Sequence, residues 1–398
     1  MTILPPELFD ETLDHLWDDP KTLQACCLTC RSWVPTARLH LFRTIRLSSS
    51  LSCTNFTSLL DSAPSIAWCV QKLTISASYC GIDGNENAIE DDKWVNSTQS
   101  LARCLGGYGR VNTLALSRLR WSSLEPATRD AFKGAFRSIK TLVLFEVHFH
   151  ASSNVLEFLD AFPELEELYF HAVSWEVESD EQTLTTSRPI YPGDKMHLSY
   201  LFLDPRSSPT LVTEWILRHP SDQKLRTIQL CWREMDDTKA LGDLLKTSGS
   251  SLERLRIEFP SGIPEEAVLA NHVSLAHNTS LRALSFGGLD VSADTSRTFF
   301  ITHIFPWITL MLSHLHSPLL REITFELETP DSECLRALDW EHIDKELSRV
   351  EFTGLTVRFY VNCLSSTSSD VVTKEMSEII ATFLPGFKER GNLCVSCI

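Results

Sequence analysis

Ten times along this chain an apolar residue is followed, after two positions, by a second and, after one more, by a third. The sites are Phe42-Ile45-Leu47, Val70-Leu73-Ile75, Val111-Leu114-Leu116, Ile139-Leu142-Leu144, Leu165-Leu168-Phe170, Leu198-Leu201-Leu203, Leu225-Ile228-Leu230, Leu252-Leu255-Ile257, Leu281-Leu284-Phe286 and Leu320-Ile323-Phe325. The last two apolar positions of each triplet alternate as the residues of a half-buried strand do, so each triplet predicts a short β-strand. Between them, Val155 to Phe162, Thr210 to Arg218, Lys239 to Leu245 and Ala267 to His277 carry apolar residues at helical spacing. Central strands recur every 26 to 33 residues or so. Strand then helix, repeated, predicts an α/β architecture in which each unit buries its neighbour's apolar face. A doubly wound sheet would want a glycine-rich turn after an early strand. Here Gly106-Gly107-x-Gly109 precedes its strand instead.

Before position 42 the pattern is helical. Pro5 and Pro6 suit a first turn, where a missing N–H costs little, and Leu8, Leu13 and Leu16 follow at roughly helical spacing. Asp18-Asp19-Pro20 repeats the start signal, and Leu23, Cys26, Cys27 and Cys30 mark a second helix. Ser32 is the expected cap of a third, ending near Leu41-Phe42. Three helices in about 40 residues are too few to close a core of their own. They need a neighbour, and part of their apolar surface calls for a partner.

The order Leu4-Pro5-x-Glu7-Leu8, leucines at 13 and 16, Leu23 and the closing Cys27-Leu28-Thr29-Cys30-Arg31-Ser32-Trp33 resembles an F-box, particularly that of the large fungal F-box family. Thr29 departs from it, since the family more often has valine there. The resemblance implies a helical hook that docks on the Skp-type adaptor of SCF ubiquitin ligases and, through it, on cullin. Leu4, Pro5, Leu8, Leu13, Leu16, Leu23, Leu28 and Trp33 would supply most of that contact.

The later strands resemble the leucine-rich repeats of F-box proteins, without the asparagine ladder of the regular types. That implies a curved solenoid with a parallel sheet on its concave face. The expected division is a hook over 1–41 and an irregular solenoid over 42–398, with polar insertions near 80–95 and 174–195 and a further polar loop over 363–370. Met376, Ile379, Ile380 and Phe383 predict a last amphipathic helix, and 393–398 a closing strand, as a solenoid's terminal cap.

Alternation assigns an outward face to the predicted strands. Thr141, Val143 and Phe145 fall on it, then Glu167, Tyr169 and His171, then Tyr200, Phe202 and Asp204, then Thr227, Gln229 and Cys231, then Arg254, Arg256 and Glu258. Phe145, Tyr169, Tyr200, Phe202, Arg254 and Arg256 are the expected client-binding residues, because aromatics and arginine most often carry binding energy.

Composition narrows the function classes. Of 398 residues, 43% are hydrophobic and 22% charged, a balance that folds. A formal charge of −16 repels a phosphate backbone, so nucleic acid is not an expected partner. No secretory signal or membrane-spanning run is evident, which predicts a cytoplasmic or nuclear protein without a membrane partner, its 12 cysteines reduced. The sequons at Asn55, Asn96 and Asn278 then read as chance matches. Cys27-x-x-Cys30 and Cys394-x-x-Cys397 lie at opposite ends of the chain, and no metal or other cofactor is expected from them. No nucleophile elbow, phosphate loop or zinc-protease motif occurs, so catalytic residues are not expected. The reading is a non-catalytic substrate receptor for an unknown protein client, with a scaffold lacking a ubiquitination role, or an unrecognised enzyme, as the alternatives.

Overall fold

The computed structural model describes residues 5–77, 93–178, 197–219, 224–232, 238–259, 273–291, 305–363 and 369–397. Leu4 lies outside them, as do most of the two long polar insertions. The chain forms two compact units, residues 1–196 and 197–398, and the N-terminal helices belong to the first.

The first unit opens with α1 (Pro6–Asp14), α2 (Pro20–Thr29) and α3 (Val34–Phe42). Then come β1 (Thr44–Leu47), α4 (Ser50–Ser62), β2 (Lys72–Ser76), α5 (Gln99–Gly106), β3 (Thr113–Arg120), α6 (Pro126–Ala135), β4 (Thr141–Ala151), α7 (Ser152–Leu159), β5 (Glu167–His171) and β6 (Ser174–Val177). Strands β1 to β5 pair in parallel in chain order, and β6 pairs with the distal part of β4. The apolar triplets become ladders: Leu73, Leu114, Leu142 and Leu168 align across four strands, and Ile75, Leu116, Leu144 and Phe170 form the next rung. All eight side chains are buried. Trp121 closes this core between the helices, 4.5 Å from the Phe158 ring and 6.2 Å from that of Phe132.

Two residues past the second ladder the backbone turns left-handed at equivalent places, at Arg118 (φ 51°), Glu146 (φ 53°) and Ala172 (φ 51°). The extra turn breaks the alternation and returns Leu119, Val147 and Val173 to the buried side. Arg118 and Glu146 are paired across it, Nε to Oε2 3.2 Å.

The second unit runs β7 (Tyr200–Leu203), α8 (Pro209–Arg218), β8 (Thr227–Cys231), α9 (Thr238–Ser248), β9 (Arg254–Glu258), β10 (Ala283–Asp290), α10 (Pro306–Ser313) and β11 (Glu322–Thr329). It ends with α11 (Trp340–Leu347), β12 (Thr356–Cys363), α12 (Ser369–Phe383), α13 (Pro385–Lys388) and β13 (Asn392–Cys397). Its strands too are parallel and in chain order. Leu203, Leu230, Ile257, Phe286, Phe325, Phe359 and Val395 share one rung. Phe325 and Phe359 are stacked at 4.8 Å, and Trp307 reaches down from α10 to Phe286 at 5.6 Å. Neither unit reverses its strand order, so neither contains the topological switch of a doubly wound sheet.

Some expectations change. Residues 174–177, assigned to a polar insertion, form β6. Of the helix expected over 267–277, residues 267–272 lie outside the described residues and 273–277 are not helical. Strand β12 matches no apolar triplet, because Gly354 (φ 81°) occupies the first position. Asp204 and Cys231, placed outward by alternation, are buried. Each sits at the end of its strand, where the chain turns and alternation no longer governs. Asn278 is buried, its amide donating to the carbonyls of Leu245 (2.9 Å) and Gly249 (3.0 Å), so this sequon asparagine joins one repeat to the preceding one. Among the described residues no helix is long and apolar enough to cross a membrane.

Candidate functional site

The three N-terminal helices close on a small core of Leu13, Leu23 and Ala37, with Leu16, Cys26, Cys27, Trp33 and Leu41 packed around it. Asp19 caps α2, accepting from the Thr22 amide at 3.0 Å and its hydroxyl at 2.6 Å. These bonds, that from the side chain foremost, hold the Asp19 carboxyl below its ordinary pKa. Helix α3 is latched to α1 at two points, Thr36 Oγ1 donating to Asp10 at 2.5 Å and His40 Nε2 bonding Asp14 at 2.7 Å. The Phe9 and Trp33 rings meet at 5.5 Å. Ser32 does not cap α3. Its hydroxyl bonds the Cys30 thiol at 3.0 Å, which lowers that thiol's pKa, and a single 3-10 turn over Arg31–Trp33 leads into α3 instead.

This arrangement divides the residues expected to meet an adaptor. Leu13 and Leu23 are sealed in the core, so they hold the helices and offer no surface. Leu16 and Trp33 are half-buried against that core. Pro5 is exposed, as are Leu8 at 46% and Leu28 at 90%. Of nine large hydrophobic residues exposed among the described residues, Leu8, Trp17, Leu28 and Leu39 fall within α1 to α3 and their connections. Four of the nine therefore lie in the first 40 or so residues, a denser concentration of exposed apolar side chains than along the rest of the described chain. Trp17 and Leu39 were missed because spacing ranks positions by core periodicity and therefore passes over a residue that faces away.

The outward sheet face is described unit by unit. In the first, Phe145 lies on β4 with its ring 5.8 Å from His171, and the Tyr169 hydroxyl donates to Glu167 Oε2 at 3.3 Å. At the far end of β4, Glu176 on β6 bonds His150 Nδ1 at 2.9 Å and His148 Nε2 at 3.2 Å. Those two bonds, His150's first, lower the Glu176 pKa. Ser174 bonds the other nitrogen of His148 at 2.9 Å. Among the described residues no group of three or more histidine, cysteine, aspartate or glutamate side chains has metal-binding geometry.

In the second unit the register sets Tyr200, Thr227 and Arg254 on one rung and Phe202, Gln229 and Arg256 on the next. The aromatic and arginine residues thus share a face, as alternation requires. Of the two arginines expected to bind a client, Arg256 is already neutralised. Arg256 is bound twice by Glu326, Nη2 to Oε2 at 2.6 Å and Nε to Oε1 at 3.1 Å, and lies 3.6 Å from Glu258. It reaches two strands across because β10 carries Gly287 beneath it: a Cβ there would lie 2.4 Å from Arg256 Nη2. Arg254, one rung away, is exposed. Glu326 is 70 positions from Arg256, and only the parallel register brings the two together.

Neither a protein-family model nor a curated protein sequence matches this chain, so the functional reading rests on its own residues.

Proposed function

We propose that this chain is the substrate-receptor subunit of an SCF-type ubiquitin ligase, in which α1 to α3 act as an F-box that docks on a Skp-type adaptor and the strand–helix rungs, read as irregular leucine-rich repeats, hold a protein client. The observation that carries this reading is the concentration of exposed leucine and tryptophan on three short helices and their connections, in the stretch that bears the Leu-Pro-x-Glu-Leu and Cys-Arg-Ser-Trp elements. Such an interface works as helix-in-groove recognition, with a few apolar anchors supplying most of the energy. The protein would do no bond chemistry. Its contribution would be proximity: client and ubiquitin-charged enzyme held on one frame react at raised effective concentration. Work in the cytoplasm or nucleus belongs to this reading. The client would lie on the outward sheet face, near Phe145 and Tyr169 in the first unit and near Tyr200, Phe202 and Arg254 in the second.

Co-purification of the full chain with a Skp-type adaptor tests the reading. Leu8→Asp and Leu28→Asp change exposed anchors and should leave the melting curve in place, while each weakens the complex about tenfold or more. Leu23→Ala empties a core position and serves as the folding control, with a loss of about 2–5 kcal/mol. A folded wild-type chain that forms no complex sinks the proposal.

A further inference from the structure

Within the first unit a cleft of about 680 Å³ opens between the α1–α2 connection, the end of α3 and the first residues of β1 to β3. Trp17 and Asp18 line one side; Arg43, Arg46, Gln71 and Lys72 line the other. Arg43 Nε donates to Gln71 Oε1 at 3.0 Å. Arg43, Arg46 and Lys72 are all exposed, and among the described residues no carboxylate is within ion-pair distance of any of the three. The chain as a whole carries 52 acidic and 36 basic residues, so a cluster of three cations runs against its net charge. Some other cations, Lys133, Lys140, Arg218, Arg282 and Arg358 among them, each pair with a glutamate. Asp18 is the only carboxylate on the cleft wall, against three cations. A concave site lined by one sign of charge focuses its field and attracts the opposite sign.

Two of the cations come from neighbouring strands. Lys72 aligns with Thr44, two residues before Arg46 on the neighbouring strand. With strands about 4.8 Å apart and about 3.3 Å of rise per residue, their Cα atoms are about 8 Å apart. Arg46 and Lys72 thus present two long cationic side chains from neighbouring strands, within reach of carboxylates on successive side chains of one peptide. The volume admits several side chains, and Trp17, 64% exposed, offers an apolar surface beside the charges. A nucleic acid or an anionic membrane would have to approach a molecule of net charge −16 over a wide area, and a short peptide would not.

We infer that this cleft is a second recognition site, which takes an acidic peptide segment: its carboxylates pair with Arg43, Arg46 and Lys72 and its apolar side chain packs on Trp17. This goes beyond adaptor docking and rests on Arg43, Arg46 and Lys72, none of them an anchor of that reading; Trp17 is the one residue shared with the apolar surface described above.

The test uses the full chain and a fluorescein-labelled nonapeptide with four glutamates around a central leucine, followed by fluorescence anisotropy at low salt. Saturable binding is expected, with none for the same peptide carrying glutamines. The Arg46→Glu, Lys72→Glu double variant should bind about tenfold or more weakly, and Arg46→Gln, Lys72→Gln a few-fold more weakly. Both residues are exposed, so unchanged circular dichroism melting is the folding check. Raising the ionic strength from 50 to 500 mM should weaken binding as the charges are screened. Absence of wild-type binding, equal binding of the glutamine peptide, equal binding by the folded double variant or tighter capture of a single-stranded oligonucleotide would each overturn the proposal. The double variant should still co-purify with the adaptor, so failure of one site is read separately from failure of the other.

Discussion

Gly106, the last residue of α5, lies where that helix meets α6: a Cβ there would be 2.3 Å from the Ala135 carbonyl oxygen. Backbone cannot yield as a flexible side chain can, so Gly106→Ala should cost about 1–3 kcal/mol by overpacking. Gly134, one residue before Ala135 in α6, has nothing within 4 Å of its would-be Cβ. There Gly134→Ala should add up to about 1 kcal/mol through helix propensity alone. Urea midpoints of the two variants should move in opposite directions, and a shift in the same direction refutes this account of the contact. Neither role was legible in the sequence, because a glycine kept for close approach and one merely tolerated in a helix are the same letter.

Helix α2 is legible from end to end, from its Asp-Pro start to its apolar spacing, and its cap carries a pH signature. Because hydrogen bonds from Thr22 depress the folded pKa of Asp19, the cap contributes fully above the unfolded carboxylate value of about 3.9 and is lost as pH falls through the lowered folded value. Asp19→Asn keeps an acceptor that does not titrate. Hydrogen exchange of the α2 amides should therefore be slower in the wild type than in the variant at pH 7, and the difference should shrink as the pH is lowered through 4 toward 3. A difference that stays constant over that range shows that the carboxylate charge contributes nothing. At the other helix ends the sequence was less informative. Ser32 has the right residue type for a cap, yet its hydroxyl is taken by Cys30.

Across each unit, stability follows position in the ladder. Strands β3 and β4 in the first unit, and β10, β11 and β12 in the second, have a parallel neighbour on both sides, whereas β1 and β13 end their runs. Amides of the former should exchange slowest, near the global unfolding limit, and those of β13 faster. Uniform exchange from β10 to β13 would mean that the second unit opens as one block.

The triplets named the ladder residues correctly because a strand's alternation and the burial of one face are both local consequences of the order of residues. Every triplet contributes two residues to a described strand, from Ile45 and Leu47 in β1 to Ile323 and Phe325 in β11. The sequence by itself also determined the parity of the outward face and the three-helix start. Tertiary structure alone decided which outward charges are satisfied. Arg256 meets Glu326 over Gly287, while among the described residues Arg43, Arg46 and Lys72 have no carboxylate within ion-pair distance. It likewise decided which leucines of the first helices are sealed and which are offered, Leu23 within the core and Leu28 outside it. The physical reason is range: alternation and helical spacing act over a few residues, whereas pairing and burial depend on neighbours brought together by the register of whole strands.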